Sequence, residues 1–331
     1  VSDRPEKKAP GGLAQRAVTG VVLAVGVLVL IWSPNLFERV GTSTFEGNSE
    51  TVFRFRTSFL ANYGFTIAAA IFVAIGFREY AAMARAKGIV LPSVAGSVAV
   101  AFIVFITGFL GLAFGLNALG IAVFAAIVSL ALLHILRGMD HHTLPGLAAT
   151  IFGVVYLGWM PAHLVLMHVS GYTGLEPLGG PGLVTMLIAM VAMSDTGAYF
   201  TGRAIGKHKL APLTSPKKTW EGAAGGLVAA ILTGAVIYGL RDKFQFGDLP
   251  DYPLLWFLAT GAVLSVVSQI GDLVESMLKR DAGIKDSGNI FPGHGGVLDR
   301  CDGILFAAPA LYYLLQLELA IDFVKTGIAG P

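Results

Sequence analysis

Nine apolar runs punctuate this chain, at roughly residues 17–33, 60–77, 92–112, 119–136, 147–168, 183–201, 226–240, 254–278 and 303–321. Crossing the hydrocarbon core of a bilayer takes about 20 predominantly apolar residues. Inside lipid every backbone N–H and C=O must be paired locally, which leaves helices as the spanning element for runs of this kind. A soluble domain is excluded by the same arithmetic: charged residues make up 13% of the chain, against about 25% in soluble domains. The expected fold class is therefore all-α, a polytopic integral membrane protein with about nine transmembrane helices. The first run shows no small-residue cleavage site and is expected to be a span. The third and fourth runs meet at Gly115-Leu-Asn117, where a merged pair would change the count. The seventh is short unless Gly222–Gly225 belongs to it.

Charge placement orients the chain. With the N-terminal segment 1–16 in the cytoplasm, seventeen Lys and Arg fall on the cytoplasmic side and six, Arg39, Arg54, Arg56, Arg241, Lys243 and Lys325, on the other. That split follows the positive-inside rule. It puts the polar loop 34–57 outside, the C-terminus outside, and the basic loops 202–222 and 279–300 inside. Trp32, Trp159 and Trp256 fall near span ends, where interfacial anchors belong. Arg78, Arg85 and Lys87 read as topology determinants. Residues 17–182 carry little polar chemistry in their spans, so a site is expected in 183–331.

Asp195 lies inside the sixth run. A carboxylate at membrane depth is costly unless paired or in a wet cavity. The loop after it contains Ser215, Lys217, Lys218, Thr219, Glu221 and Gly222. Hydroxyls, ammonium groups and glycine amides of this kind can wrap phosphates, although the loop is not a Walker A sequence. The eighth run ends in Asp272, Glu275, Ser276, Lys279 and Arg280, and positions 272, 275, 276 and 279 share a helix face. Then come Lys285 and the turn Pro292-Gly-His294-Gly295-Gly296, where the glycines allow close backbone approach to a ligand. Asp299-Arg300-Cys301-Asp302 opens the last span.

An N-cap role accounts for one of these aspartates but not for Asp272, Asp299 and Asp302 together. Three carboxylates at one depth point to a hard cation. Mg²⁺ takes oxygen ligands from a few carboxylates and substrate phosphates. Lys218, Lys279, Arg280, Lys285 and Arg300 would supply positive charge for a polyphosphate, and His294 is expected to contact phosphate rather than act as a base. No feature suggests a nucleic-acid partner. Two other readings stay open. One is an ion-path transporter using Asp195 and Asp272. The other, which depends on the resemblance given next, is a CTP-dependent enzyme on another lipid, such as a prenol kinase.

The motif Ser276-x-x-Lys279-Arg280-x4-Lys285-Asp286, Gly288, His294-Gly-Gly-x-x-Asp299-Arg300-x-Asp302 closely resembles the signature of the phosphatidate cytidylyltransferases, or CDP-diacylglycerol synthases. Ser194-Asp195-Thr-Gly-Ala-Tyr199 and Ser215-Pro-Lys-Lys218-Thr219-x-Glu221-Gly222 resemble two further segments of that family. The resemblance covers about residues 190–305. It implies transfer of the cytidylyl group of CTP to phosphatidate in phospholipid biosynthesis, with release of pyrophosphate. It also implies Mg²⁺, with K⁺ as a candidate second cation, and a homodimer embedded in bilayer lipids. Asp272, Asp299 and Asp302 match the family's metal ligands. The nucleophile is already ionised near neutral pH, so a general base is not required.

Overall fold

The computed structural model describes residues 22, 24–32, 50–138, 143–170, 180–241, 243, 249–291 and 295–326, with side chains from residue 63 onward in the second helix. Residues 24–32 are helical (α1). The helices that follow are α2 (Glu50–Ala86), α3 (Ser93–Phe114), α4 (Leu116–Leu136), α5 (Thr143–Val154), α6 (Met160–Ser170), α7 (Pro181–Ile205), α8 (Trp220–Leu240), α9 (Leu254–Asp281) and α10 (Leu298–Thr326). Among the described residues, eight helical segments are long and apolar enough to cross a membrane, the α5–α6 unit counting as one. This bears out the all-α polytopic reading, with α1 covering part of the first expected span.

Local chemistry explains most of the boundaries. Gly115, at φ +51°, separates α3 from α4, so the third and fourth runs are two helices. α8 begins at Trp220 and absorbs Gly222–Gly225, which gives the short seventh run a full 21 residues. Between α5 and α6 the helix widens into a π turn at Val155–Trp159. Pro161 has no N–H to return to the Leu157 carbonyl, a common setting for such a local widening. Two expectations are corrected. Residues 50–57, assigned to the polar loop 34–57, continue α2 as helix; residues 33–49 lie outside the described part. Trp159 sits inside the α5–α6 unit, packed against His163 and Tyr313 rather than at a helix end.

The core is apolar and continuous, with Phe77, Tyr156, Leu183 and Phe257 fully buried. Outward faces are apolar too: Ile121, Phe124, Val128 and Leu132 of α4, and Val228, Leu232 and Val236 of α8, are exposed. In water that pattern would be unstable; in lipid it is the expected surface.

In the C-terminal half, α7 packs along α8, α8 along α9 and α9 along α10. Small residues set these distances, as in other membrane bundles. A Cβ at Gly226 would lie 2.7 Å from the Ser194 carbonyl oxygen and 3.1 Å from its hydroxyl. Gly226→Ala is therefore expected to push α7 from α8 and destabilise the protein by about 1–3 kcal/mol. Thermal inactivation in detergent measures this, and an unchanged midpoint would show that the contact is looser than described.

Candidate active site

The loop expected at 202–222 is built around a hairpin. β1 (Lys209–Ala211) pairs antiparallel with β2 (Ser215–Thr219), with Lys209 opposite Thr219 and Ala211 opposite Ser215. Glu221, in the first turn of α8, accepts from the backbone N–H groups of Lys207 (3.1 Å) and His208 (3.2 Å), and its carboxylate lies 2.6 Å from His208 Nδ1. Thr219 caps α8 by accepting from the Gly222 N–H at 3.1 Å. Neighbouring residues on a strand face opposite ways. Lys217 is accordingly exposed, while Lys218 turns inward and forms an ion pair with Asp272 on α9.

Asp272 stands where α9 crosses α10. A Cβ on Gly271 would overlap the Asp302 carbonyl oxygen, and one on Gly303 would lie 3.2 Å from Ser268 Cβ. These glycines let the backbones touch and bring Asp272 and Asp302 together. Asp302 lies within electrostatic reach of both Asp272 and Asp195, and Asp195 within reach of Lys218. Three helices and the hairpin thus contribute Asp195, Lys218, Asp272 and Asp302 to one polar locus. Asp302 accepts from the Gly303 N–H at 2.8 Å, and Ser276 donates to Asp272 at 3.3 Å.

Asp299 has different surroundings. Its Oδ1 accepts from Lys279 Nζ at 2.6 Å, and Lys279 also pairs with Glu275 one turn earlier on α9. Its Oδ2 accepts from the N–H groups of Ser287 and Gly296, both at 2.8 Å, and lies 2.9 Å from the Ser287 hydroxyl. Gly295 takes φ +84°, and a Cβ there would overlap Oδ2. Phe291 donates its N–H to the Gly295 carbonyl at 3.0 Å and closes the turn. Asp299 therefore organises the glycine turn from within.

Not every expected residue meets at this locus. Arg280 and Arg300 are exposed, and Arg280 donates to the Ile284 carbonyl at 3.1 Å. Ser215 is half-buried beside the turn of the hairpin, opposite Ala211. His294 lies outside the described residues. Lys285 sits in the segment between α9 and the turn. Gly296 is buried, its N–H committed to Asp299.

The donor set fits a hard divalent cation. Asp272 and Asp302 are oxygen donors within electrostatic reach of one another, with Asp195 also in reach and Lys218 balancing part of their charge. Among the described residues no three His, Cys, Asp or Glu side chains form a ready-made metal cage. Mg²⁺ does not need one, since it is usually held by one or two carboxylates together with substrate phosphates.

Three contributors carried no clear signal in the sequence. Glu79, next to Arg78, reaches the backbone of Val297 and Leu298 from α2. Ser287 looks like any loop serine. Tyr156 is fully buried within electrostatic reach of Asp302, Glu275 and Asp272. The one signal at Glu79 is a charge near the end of an apolar run, and such charges are common at span ends.

Residues 51–318 match the profile of the cytidylyltransferase family. The chain is 46% identical over 176 residues to a phosphatidate cytidylyltransferase of Brucella suis, covering 53% of this chain and 60% of that protein. It is 38% identical over 205 residues to the Bacillus subtilis phosphatidate cytidylyltransferase, covering 61% of this chain and 70% of the relative. With the Synechocystis phosphatidate cytidylyltransferase the identity is 31% over 282 residues, 79% of this chain and 92% of the relative. With a profile matching most of its length and a polar locus built from the motif residues themselves, the chain belongs to the cytidylyltransferase family, among the phosphatidate cytidylyltransferases.

Proposed function

We propose that this protein transfers the cytidylyl group of CTP to phosphatidate, giving CDP-diacylglycerol and pyrophosphate. The observation that carries the reading is the pairing of Lys218 with Asp272 beside Asp302 at the α9–α10 crossing. One cation and two carboxylates at a helix crossing suit a bound triphosphate better than an ion path, which needs polar groups along its whole depth. A phosphate oxygen of phosphatidate forms the new bond to the α-phosphorus of CTP, and the bond to the β-phosphate oxygen breaks. Both substrates are anionic, so charge repulsion and orientation dominate the barrier. Lys218 offers an ammonium to the phosphates once they displace it from Asp272. Asp272 and Asp302 would hold Mg²⁺, which neutralises phosphate charge when bound, with Asp299 securing the turn beside them. The diacyl tails stay in the bilayer while the headgroup reaches the locus. A homodimer and K⁺ as a second cation complete the reading.

Purified protein incubated with CTP labelled at the α- or the γ-phosphate, over a panel of lipid acceptors, tests it. Label from the α position alone should enter lipid, with phosphatidate as acceptor. Transfer of γ label to a prenol would establish the lipid-kinase alternative instead.

The basic loops support a site at the cytoplasmic face and a C-terminus on the opposite side, by the positive-inside rule. A cysteine added after Gly330, on a background with Cys301 replaced, is expected to react with an impermeant thiol reagent only from outside. Labelling only from the cytoplasmic side would refute this topology.

A further inference from the structure

We propose that Glu79 is a positioning residue that holds the glycine turn and the start of α10 in register with the active site, an inference that rests on the cytidylyl-transfer reading. Glu79 lies on α2, more than 200 residues from the turn, and is 8% exposed. Its Oε1 accepts from the Val297 N–H and its Oε2 from the Leu298 N–H, both at 3.0 Å. Leu298 is the first residue of α10. The first N–H groups of a helix have no partner within it, and a Ser, Thr, Asp or Asn at the N-cap usually supplies one. Val297, just before α10, has no side-chain acceptor. Glu79 supplies the cap from another helix, and its negative charge suits a helix N-terminus.

A neutral cap at position 297 would satisfy the helix alone. Glu79 also reaches the other end of the turn, because the Ser287 hydroxyl lies 3.0 Å from its Oε2. That hydroxyl is 2.9 Å from Asp299 Oδ2 as well, and its single proton can serve one carboxylate at a time. Glu79 and Asp299 therefore both tie Ser287 to residues 296–298. Asp299 takes the N–H groups of Ser287 and Gly296, while Glu79 takes those of Val297 and Leu298. A Cβ on Gly288 or Gly296 would overlap the Glu79 carboxylate, which gives both glycines a physical reason. Asp302 sits one turn into α10 beyond this cap, so the capped end sets where its carboxylate stands against Asp272. The partners of Glu79 are Ser287, Val297 and Leu298, so it acts through the backbone they belong to.

Parent, E79Q, S287A and the double variant, each in lipid nanodiscs, test the proposal. A glutamine keeps one acceptor but turns an NH₂ toward groups that are themselves donors. Partners of metal ligands typically contribute about 10–100-fold to activity or metal affinity. E79Q is expected to lower kcat/KM for CTP by about that factor and to raise the half-saturating Mg²⁺ concentration. The double variant should lose less than the product of the two single losses, because Glu79 and Ser287 meet at one contact. Amide exchange at Val297 and Leu298 should quicken in E79Q, whatever the activity. Parent-like exchange and kinetics in E79Q would overturn the proposal, as would losses in the double variant equal to the product of the single ones. If E79Q does not fold, E79D replaces it: drawing the carboxylate back by one methylene should still quicken exchange at both amides, and parent-like exchange would overturn the proposal. An inactive parent would refute the cytidylyl-transfer reading, while amide exchange would still decide whether Glu79 holds the turn.

Discussion

Asp302→Asn and Asp272→Asn are each expected to lower kcat by about 10²–10³-fold or more, the scale on which preorganised electrostatic groups contribute, while leaving the fold intact. Asparagine preserves the shape of both side chains. At position 302 it also keeps an oxygen to accept from the Gly303 N–H. At position 272 it can still accept from Ser276. What disappears is charge, and charge is what a divalent cation and a triphosphate require at this locus. If the two aspartates served only as helix caps and interhelical hydrogen-bond partners, both variants would turn over nearly normally. Mg²⁺ titration of CTP turnover separates the two roles. An unchanged Mg²⁺ dependence with near-parent kcat in both variants would eliminate the metal assignment. Asp299→Asn is less informative, because Oδ2 of Asp299 faces three donor groups of Ser287 and Gly296. In either orientation an asparagine turns its NH₂ toward a donor, Lys279 or the Ser287 and Gly296 groups, so a loss would not separate a metal role from a structural one.

Lys218→Ala is expected to reduce kcat/KM for CTP by about 2–4 kcal/mol in transition-state free energy, roughly 30- to 1,000-fold. Two effects act together. The triphosphate loses a charge-assisted contact, and Asp272 loses its counter-ion in the free protein. Leaving one partner of a shielded ion pair alone is costly, so the thermal midpoint should also be recorded. A large loss of activity with a modest change in midpoint identifies Lys218 as a substrate-binding group. Comparable kcat/KM in a well-folded variant would refute the assignment. The hairpin explains why Lys218, and not Lys217, carries this weight: strand alternation sends one inward and the other to solvent.

The site was partly legible before any tertiary contact was known. The run of Asp272, Glu275, Ser276 and Lys279 could be placed on one helix face, and Ser276 indeed meets Asp272 while Lys279 pairs with Glu275. From the sequence, Asp299 and Asp302 are expected to share one metal with Asp272, and the structure gives the two different surroundings. Asp299 lies at the first turn of α10, where free backbone N–H groups and the folded-back glycine turn surround it. Asp302 lies one turn further, against the α9 crossing. Three residues along a helix bring side chains to similar faces, yet the neighbours at each level come from different parts of the chain.

The sequence alone determined the properties that depend on local composition. Bilayer-length apolar runs require helices because lipid offers the backbone no other partners, and basic loops bias orientation one residue at a time. Motif residues close together in the chain could likewise be assigned to phosphate and cation chemistry by type. Only the tertiary structure decided which of them meet: Lys218 with Asp272, Asp302 with the same locus, and Glu79 with Ser287, Val297 and Leu298. The physical reason is that these partners are joined by helix packing, not by chain proximity. Packing is set by where two backbones can touch, here at Gly271 and Gly303, and a hydropathy pattern says which face of a helix is apolar without saying which helix will lie against it.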